Sequence, residues 1–427
     1  MRKLLTLVIY IFITSSVVYA AESLHTAVIL DGEQELPNRH SVPNFAANPT
    51  IVSKQSGNWF DAITWSEGRI PGIDDVVKIA QGHAVNYKGI SNDALAALGI
   101  KGTLTFDTAA KSRIKVGTIL VYREGKLDVG TQSNPITGNV EIIIANRPLV
   151  TLGPDPITTI YDPLQYGTGL VTFGEVTMHG RAITPTWVKL TREPFVGQHT
   201  LTLDTTPHGW AVGDKIVLPD TRHLPIAHKW SKAPITPIEL QLEEFTIARI
   251  NDNVITLSQP LQYDHFGGRD SSGTIIGMPH IGNLTRNIVV RSENPSGVRG
   301  HDLFTDRSKV DIRYVSFVGM GRTTAEALDN TTAVDNEVTH IGTNQTGRYP
   351  LHMHHHMGPE NASNTGYQFA MVGNVVDDGA KWGIVVHNSH FGLIDNNVVY
   401  NVEGASIITE EGNERENVFS NNFVVSF

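Results

Sequence analysis

From Gly57 onward the chain is a series of short apolar or β-branched runs cut by glycine, such as Gly102-Thr-Leu-Thr-Phe, Ile114-Lys-Val, Thr118-Ile-Leu-Val and Val140-Glu-Ile-Ile-Ile. Runs of this length at close spacing predict strands, and no ten-residue helical period interrupts them. They predict an all-β protein built from many rungs or blades. Residues 186–265 continue in the same texture. There Phe245-Thr-Ile-Ala-Arg-Ile and Val254-Ile-Thr-Leu are joined by Asn251-Asp-Asn, a hairpin signal because Asn and Asp tolerate the left-handed turn conformation. Prolines 219, 225, 234 and 237 predict a long surface loop over 219–240.

A repeat emerges from Asn283. Asn287-Ile-Val-Val, Val310-Asp-Ile-Arg, Gly373-Asn-Val-Val, Asn396-Asn-Val-Val and Asn421-Asn-Phe-Val read as one strand recurring. Asn374, Asn397 and Asn422 recur at a spacing of roughly 23–25 residues. A period in that range, with Asn opening each apolar strand, predicts a parallel β-helix in which equivalent residues stack and the Asn amides bond along the ladder.

The period gives meaning to Gly347–Met357, GRYPLHMHHHM, where His352, His354, His355 and His356 fall within five positions. In an extended strand Leu351 and Met353 face one way, and His352 and His354 the other. Glu410 follows His387 by the same step that separates Asn397 from Asn374, and His354 precedes His387 by one such step plus the loop Gly358–Gly366. His354, His387 and Glu410 are therefore expected in one column, roughly 4.8 Å per step, with His352 beside it. Imidazoles with a carboxylate make a first shell suited to zinc or another divalent ion. A metal-free reading uses the same set, with Glu410 or Glu411 as general acid or base and His387 beside it. Arg348 and Lys381 are the nearest cations to meet a polyanion, and Trp382 could stack on a sugar.

Composition narrows the partners. Lys and Arg number 33 against 43 Asp and Glu, a net charge of −10 without a basic block, which argues against nucleic acid. Arg2 and Lys3 precede an apolar run ending at Val18-Tyr19-Ala20, a signal peptide too short to span a membrane. The absence of cysteine excludes disulfides and thiolate metal sites and fits a bacterial secreted, periplasmic or cell-surface protein. The chain divides into a leader at 1–20, a linker at 21–50, a glycine-rich β domain at 51–190, a β-rich connecting segment at 191–280, and a parallel β-helix at 281–427 that stops inside a rung, as a fragment would.

Gly57-Asn-Trp, Thr64-Trp and Gly68-Arg-Ile-Pro-Gly-Ile-Asp-Asp-Val-Val resemble the opening of the eight-glycine (G8) domain. The likeness runs on through Trp210-Ala-Val-Gly-Asp-Lys-Ile-Val-Leu, Leu257-Ser-Gln-Pro-Leu-Gln-Tyr, Leu284-Thr-Arg-Asn-Ile-Val-Val, the His352 strand, Val386-His-Asn and Glu410-Glu-Gly. Over residues 57–425 the chain thus resembles the family of CEMIP, the cell-surface hyaluronidases and fibrocystin. The resemblance implies a secreted right-handed β-helix, depolymerisation of hyaluronan by some members, and calcium dependence in some. Relatives usually carry Gly-His where this chain has Gly404-Ala405. The expected function is depolymerisation of a glycosaminoglycan or related polysaccharide, by hydrolysis or β-elimination, with a calcium or zinc ion; the alternative is a non-catalytic carbohydrate-binding or adhesion protein.

Overall fold

The computed structural model describes residues 28–30, 41–222, 239–335, 337–356 and 366–425. The leader expected at 1–20, the centre of the loop expected at 219–240 and most of the 358–366 loop lie outside the described residues.

Successive strands pair not with each other but with their equivalents one coil away. Lys309–Arg313, Val315–Val318 and Leu351–His356 form the first, second and third faces of one coil. Phe369–Val372, Val375–Gly379 and Ile384–His387 repeat them, then Gly392–Asp395, Val398–Val402 and Ile407–Thr409, each parallel to its predecessor. The architecture is a parallel β-helix. The first face forms a nine-stranded sheet; the other two merge into a fifteen-stranded sheet because the long strand Lys111–Val121 bends across both.

The Asn repeat has a local cause. Gly373, Asn396 and Asn421 take φ of +67°, +58° and +49° at the corner between faces, a conformation that Gly and Asn adopt most readily. The next residue of each pair, Asn374, Asn397 or Asn422, starts the strand and bonds its neighbours along the ladder. Val310-Asp-Ile-Arg does not belong to this column. It lies in the nine-stranded sheet, and its place is taken by Val315–Val318, whose corner residue is Tyr314 at φ +56°.

The glycine-rich stretch itself forms the first coils. One buried apolar cluster runs inside the helix from Ile51 through Leu98, Ile142 and Val290 to Val402. Residues 41–47, expected as linker, pack on the outside of the third face, where Val42, Phe45 and Ala46 bury against Val171 and Leu303. Apolar residues at both faces of these strands require such a cover.

The connecting segment is a six-stranded antiparallel module with its own core, strands Trp187–Lys189 to His280–Asn283. The hairpin at Asn251–Asn253 forms as expected, with Asp252 at φ +53°. The module docks on the outer side of the second face, where Trp187 stacks on Phe423 at 5.7 Å and Val217 and Leu284 meet Val375 and Val398.

Asp377 lies at this junction. Burial first, then the charges of Glu244 and Asp378, push its carboxyl up to about 6, while Lys215 opposes them. Because the folded value exceeds that of the unfolded chain, the folded state binds the extra proton, and the stability this group contributes at low pH is lost as pH rises from about 4 through 6. Asp377→Asn is expected to gain on wild type in urea midpoint between pH 4.5 and pH 7.5. A constant difference across that range would show that the junction carries no such strain.

Candidate functional site

The site is on the outer surface of the third face, in the last rungs described. Leu351 and Met353 enter the core, so His352 and His354 face out. His354 is in register with His387, and one rung on, Val386 pairs with Thr409 while the Glu410 N–H donates to the Val386 carbonyl at 3.0 Å. His354, His387 and Glu410 thus occupy one column, with His352 beside it. The His352 and His387 rings are parallel at 5.9 Å, and the His354 ring stands edge-on to both, at 5.1 and 5.0 Å.

His352 is fully buried, with Nδ1 3.1 Å from the Gly347 carbonyl. A carbonyl only accepts, so the ring hydrogen sits on Nδ1 and Nε2 carries a lone pair. Among the described residues that Nε2 has no hydrogen-bond partner, and it lies 3.9 Å from Glu410 Oε2, which in turn is 3.3 Å from His387 Nδ1. Burial, then the Glu411 charge, pushes the Glu410 carboxyl up to about 7, against the pull of Lys381. Burial holds His352 and His354 well below the ordinary imidazole range. Glu411 is half exposed on the rim, Oε1 3.4 Å from His387 Nε2.

Strict alternation turns His355 toward the core, and the structure does otherwise. Thr305 pairs with His354 and Asp306 with His356, leaving His355 as the extra residue of a bulge at φ +48°. Its ring lies 4.4 Å from that of His354 and 4.7 Å from that of His387. Donor atoms of His354, His355 and His387 lie within 4.8 Å of one another, as do those of His352, His387 and Glu410. Three consecutive histidines after a clean apolar alternation are the sequence signal for this bulge. His356 is buried, its Nε2 2.5 Å from the Ser308 carbonyl and its ring edge-on to Phe369, and it takes no part in the cluster.

Lys381 and Trp382 flank the cluster. Lys381 Nζ lies 4.8 Å over the Trp382 ring, which packs at 4.9 Å against Tyr349, itself 5.0 Å from His352. Arg348 departs from expectation. Its guanidinium is buried, donates to the carbonyls of Leu164, Gln165 and Thr346, and lies over the Tyr166 ring, so it pins the 164–168 segment instead of facing solvent.

His352 Nε2, His387 Nδ1 and Glu410 Oε2 are the atoms that could hold a divalent cation. Bonds of about 2.0–2.1 Å in tetrahedral array separate ligand atoms by roughly 3.3–3.4 Å; Glu410 Oε2 stands at 3.3 Å from His387 Nδ1, and its 3.9 Å to His352 Nε2 would close on binding. The Nδ1–H bond from His352 to Gly347 is the second contact that orients a metal-binding imidazole.

A parallel β-helix with a histidine–carboxylate cluster on one face defines the class of this protein. Residues 64–191 match the G8 domain and residues 305–427 the CEMIP beta-helix. The chain thus carries a G8 domain followed by a CEMIP-type β-helix. It is 28% identical to mouse Fibrocystin-L over 353 residues, 76% of this chain and 8% of that protein. It is 26% identical to human Fibrocystin-L over 86% of this chain and 9% of that protein, and 24% identical to a G8 domain-containing protein of Dictyostelium discoideum over 86% and 29%. The chain thus spans under a tenth of Fibrocystin-L. Among solved structures it is similar to the tailspike gp61 of Pseudomonas phage phi297, at TM-score 0.20 and 11% identity over 70% of this chain and 56% of that one. The Gp54 tailspike of Acinetobacter baumannii bacteriophage AP22, solved in complex with capsular saccharide, gives TM-score 0.19 and 10% identity over 81% and 45%. Among the described residues no helix is long and apolar enough to cross a membrane.

Proposed function

We propose that this protein acts outside the cell as a polysaccharide-depolymerising enzyme whose centre is the His352–His387–Glu410 triad holding a zinc-class divalent cation. The observation that carries the reading is the approach, at 3.9 Å, of a buried imidazole lone pair to a buried carboxylate oxygen, with no donor to that nitrogen among the described residues. Two acceptors so placed in a dry site call for a shared cation or proton. Three protein ligands leave a position open, as in catalytic sites, and a cation there would supply Lewis acidity and lower the pKa of a bound water.

The chain's own residues divide the remaining work. Glu411, on the rim and 3.4 Å from His387, is the candidate proton donor or acceptor at the scissile oxygen. Trp382 offers a ring face to a sugar, and Lys381 above it faces an anionic one. His354 and His355 border the cluster and orient what enters it.

The test is chain-length analysis of hyaluronan and chondroitin incubated with the purified protein, with and without a chelator. Wild type is expected to shorten one of them, and Glu411→Gln to be slower by at least about 100-fold. New reducing ends without an unsaturated product indicate hydrolysis, and an ultraviolet-absorbing unsaturated end indicates elimination. Ala405, where the family resemblance implies a histidine, favours a second reading as a binding protein. Tight binding of either polymer with no shortening in any divalent ion would establish that second reading and overturn the enzymatic one.

A further inference from the structure

A second cleft lies apart from the histidines. It has a volume of about 520 Å³ and lies at the corner between the second and third faces, lined by Pro295, Arg299, Thr324, Asp378, Val402 and Glu403 among others. Its position relative to the cluster follows from the chain. Asp378 is followed on its rung by Lys381, Trp382 and then His387; Glu403 is followed on the next by Gly404 and then Glu410. The two rungs that floor the cleft are therefore the two that carry His387 and Glu410. The Gly404 N–H donates to the Lys381 carbonyl at 2.7 Å, and a side chain at Gly404 would meet the Trp382 ring at 3.3 Å, so the surface between cleft and cluster is low and overlaid by Trp382.

The chemistry of the lining is specific. The Arg299 guanidinium donates to the Asp378 carbonyl and faces both Asp378 carboxylate oxygens at 3.2 Å, which holds the pair rigid and partly buried. The Glu403 carboxylate is exposed beside it. Pro295 and Val402 supply apolar wall. A guanidinium between two carboxylates over an apolar wall offers donors and acceptors to the vicinal hydroxyls of a sugar ring, and the second carboxylate disfavours an anionic unit there. A cleft of this size takes a single sugar ring with room to spare, and every second unit of hyaluronan, the N-acetylhexosamine, is uncharged.

We infer that this cleft is a second glycan subsite, for uncharged sugar units, and that the polymer lies across the two rungs from the triad over Trp382 into the Arg299–Glu403 corner, not along the helix axis. The inference rests on the proposed glycan activity and adds the direction of the chain and a length requirement. On this path a tetrasaccharide is expected to occupy only the triad and Trp382, and a decasaccharide to reach the cleft as well.

The experiment is calorimetric binding of hyaluronan tetrasaccharide and decasaccharide to wild type, Glu403→Ala and Arg299→Ala, with melting curves for each. Wild type is expected to bind the decasaccharide at least about tenfold more tightly than the tetrasaccharide, and both variants to lose most of that ratio. Glu403 is exposed, so its variant keeps the test valid if Arg299→Ala lowers the melting temperature. A length ratio in Glu403→Ala equal to that of wild type overturns the subsite and leaves the glycan activity standing. Absence of binding at either length by wild type overturns both.

Discussion

Zinc binding is expected to fall by at least about 100-fold, or about 2.7 kcal/mol, in either His387→Ala or Glu410→Gln, with the fold intact. The magnitude follows from losing one of three protein donors in a site whose remaining donors cannot move, because each is fixed by the parallel ladder. Both residues lie on the outer face, so neither substitution opens the core that Val386 and Ile384 fill. The donor set also ranks the ions. Imidazole nitrogens suit zinc, copper or nickel, whereas calcium takes six or more oxygens, so zinc is expected to bind far more tightly than calcium. The measurement is isothermal titration with each ion on metal-stripped protein. Wild-type zinc affinity in both variants, or calcium binding more tightly than zinc, would sink the triad as a metal centre. A weaker loss in His354→Ala than in His387→Ala would separate the triad from the neighbouring His354–His355–His387 group.

Asn397→Ala is expected to cost about 3 kcal/mol of stability. Asn397 is fully buried; its Oδ1 accepts the Asn374 N–H at 2.8 Å and its Nδ2 donates to the Met371 carbonyl at 2.9 Å. Truncation leaves both backbone groups buried and unpaired, at about 1–3 kcal/mol each. Asn374 above and Asn422 below repeat the arrangement, bonding to Ile312 and Ile394 carbonyls. Because the three amides form one ladder, a double substitution Asn374→Ala with Asn397→Ala is expected to cost less than the sum of the singles. Urea midpoints of the two single variants and the double variant measure this. A loss in Asn397→Ala under about 0.5 kcal/mol, the lower end of what one hydrogen bond contributes, would mean that water satisfies the corner and that the ladder adds nothing.

Much of this was legible in the chain because the helix writes its geometry as offsets. The near-constant spacing of the ladder asparagines fixes the rung, and with the rung known, His354, His387 and Glu410 fall into one column by counting. Parallel pairing has no freedom to slip by one residue without turning every core side chain outward, so the apolar alternation of Leu351 and Met353 sets the facing of His352 and His354 as well. The hairpin at Asn251–Asn253 was legible for a local reason, the turn residues themselves.

Other features were decided at long range. His355 joins the cluster through a bulge whose extra residue is defined only by the partner strand His301–Asp306, and an isolated strand has no partner to define it. Arg348 reads as an exposed cation, yet the carbonyls that capture it belong to Leu164 and Gln165, far earlier in the chain. The docking of the 187–283 module, and with it the approach of Asp377 to Glu244, depends on two surfaces distant from each other in the sequence. The sequence alone determined the spacing of the ladder asparagines, the facing of His352 and His354 and the column of histidines and carboxylate, since these follow from local periodicity and backbone preference. Only the tertiary structure decided which buried donors are left without partners, which cation is spent on a loop and where a cleft opens, because burial and pairing are properties of what one segment meets in another.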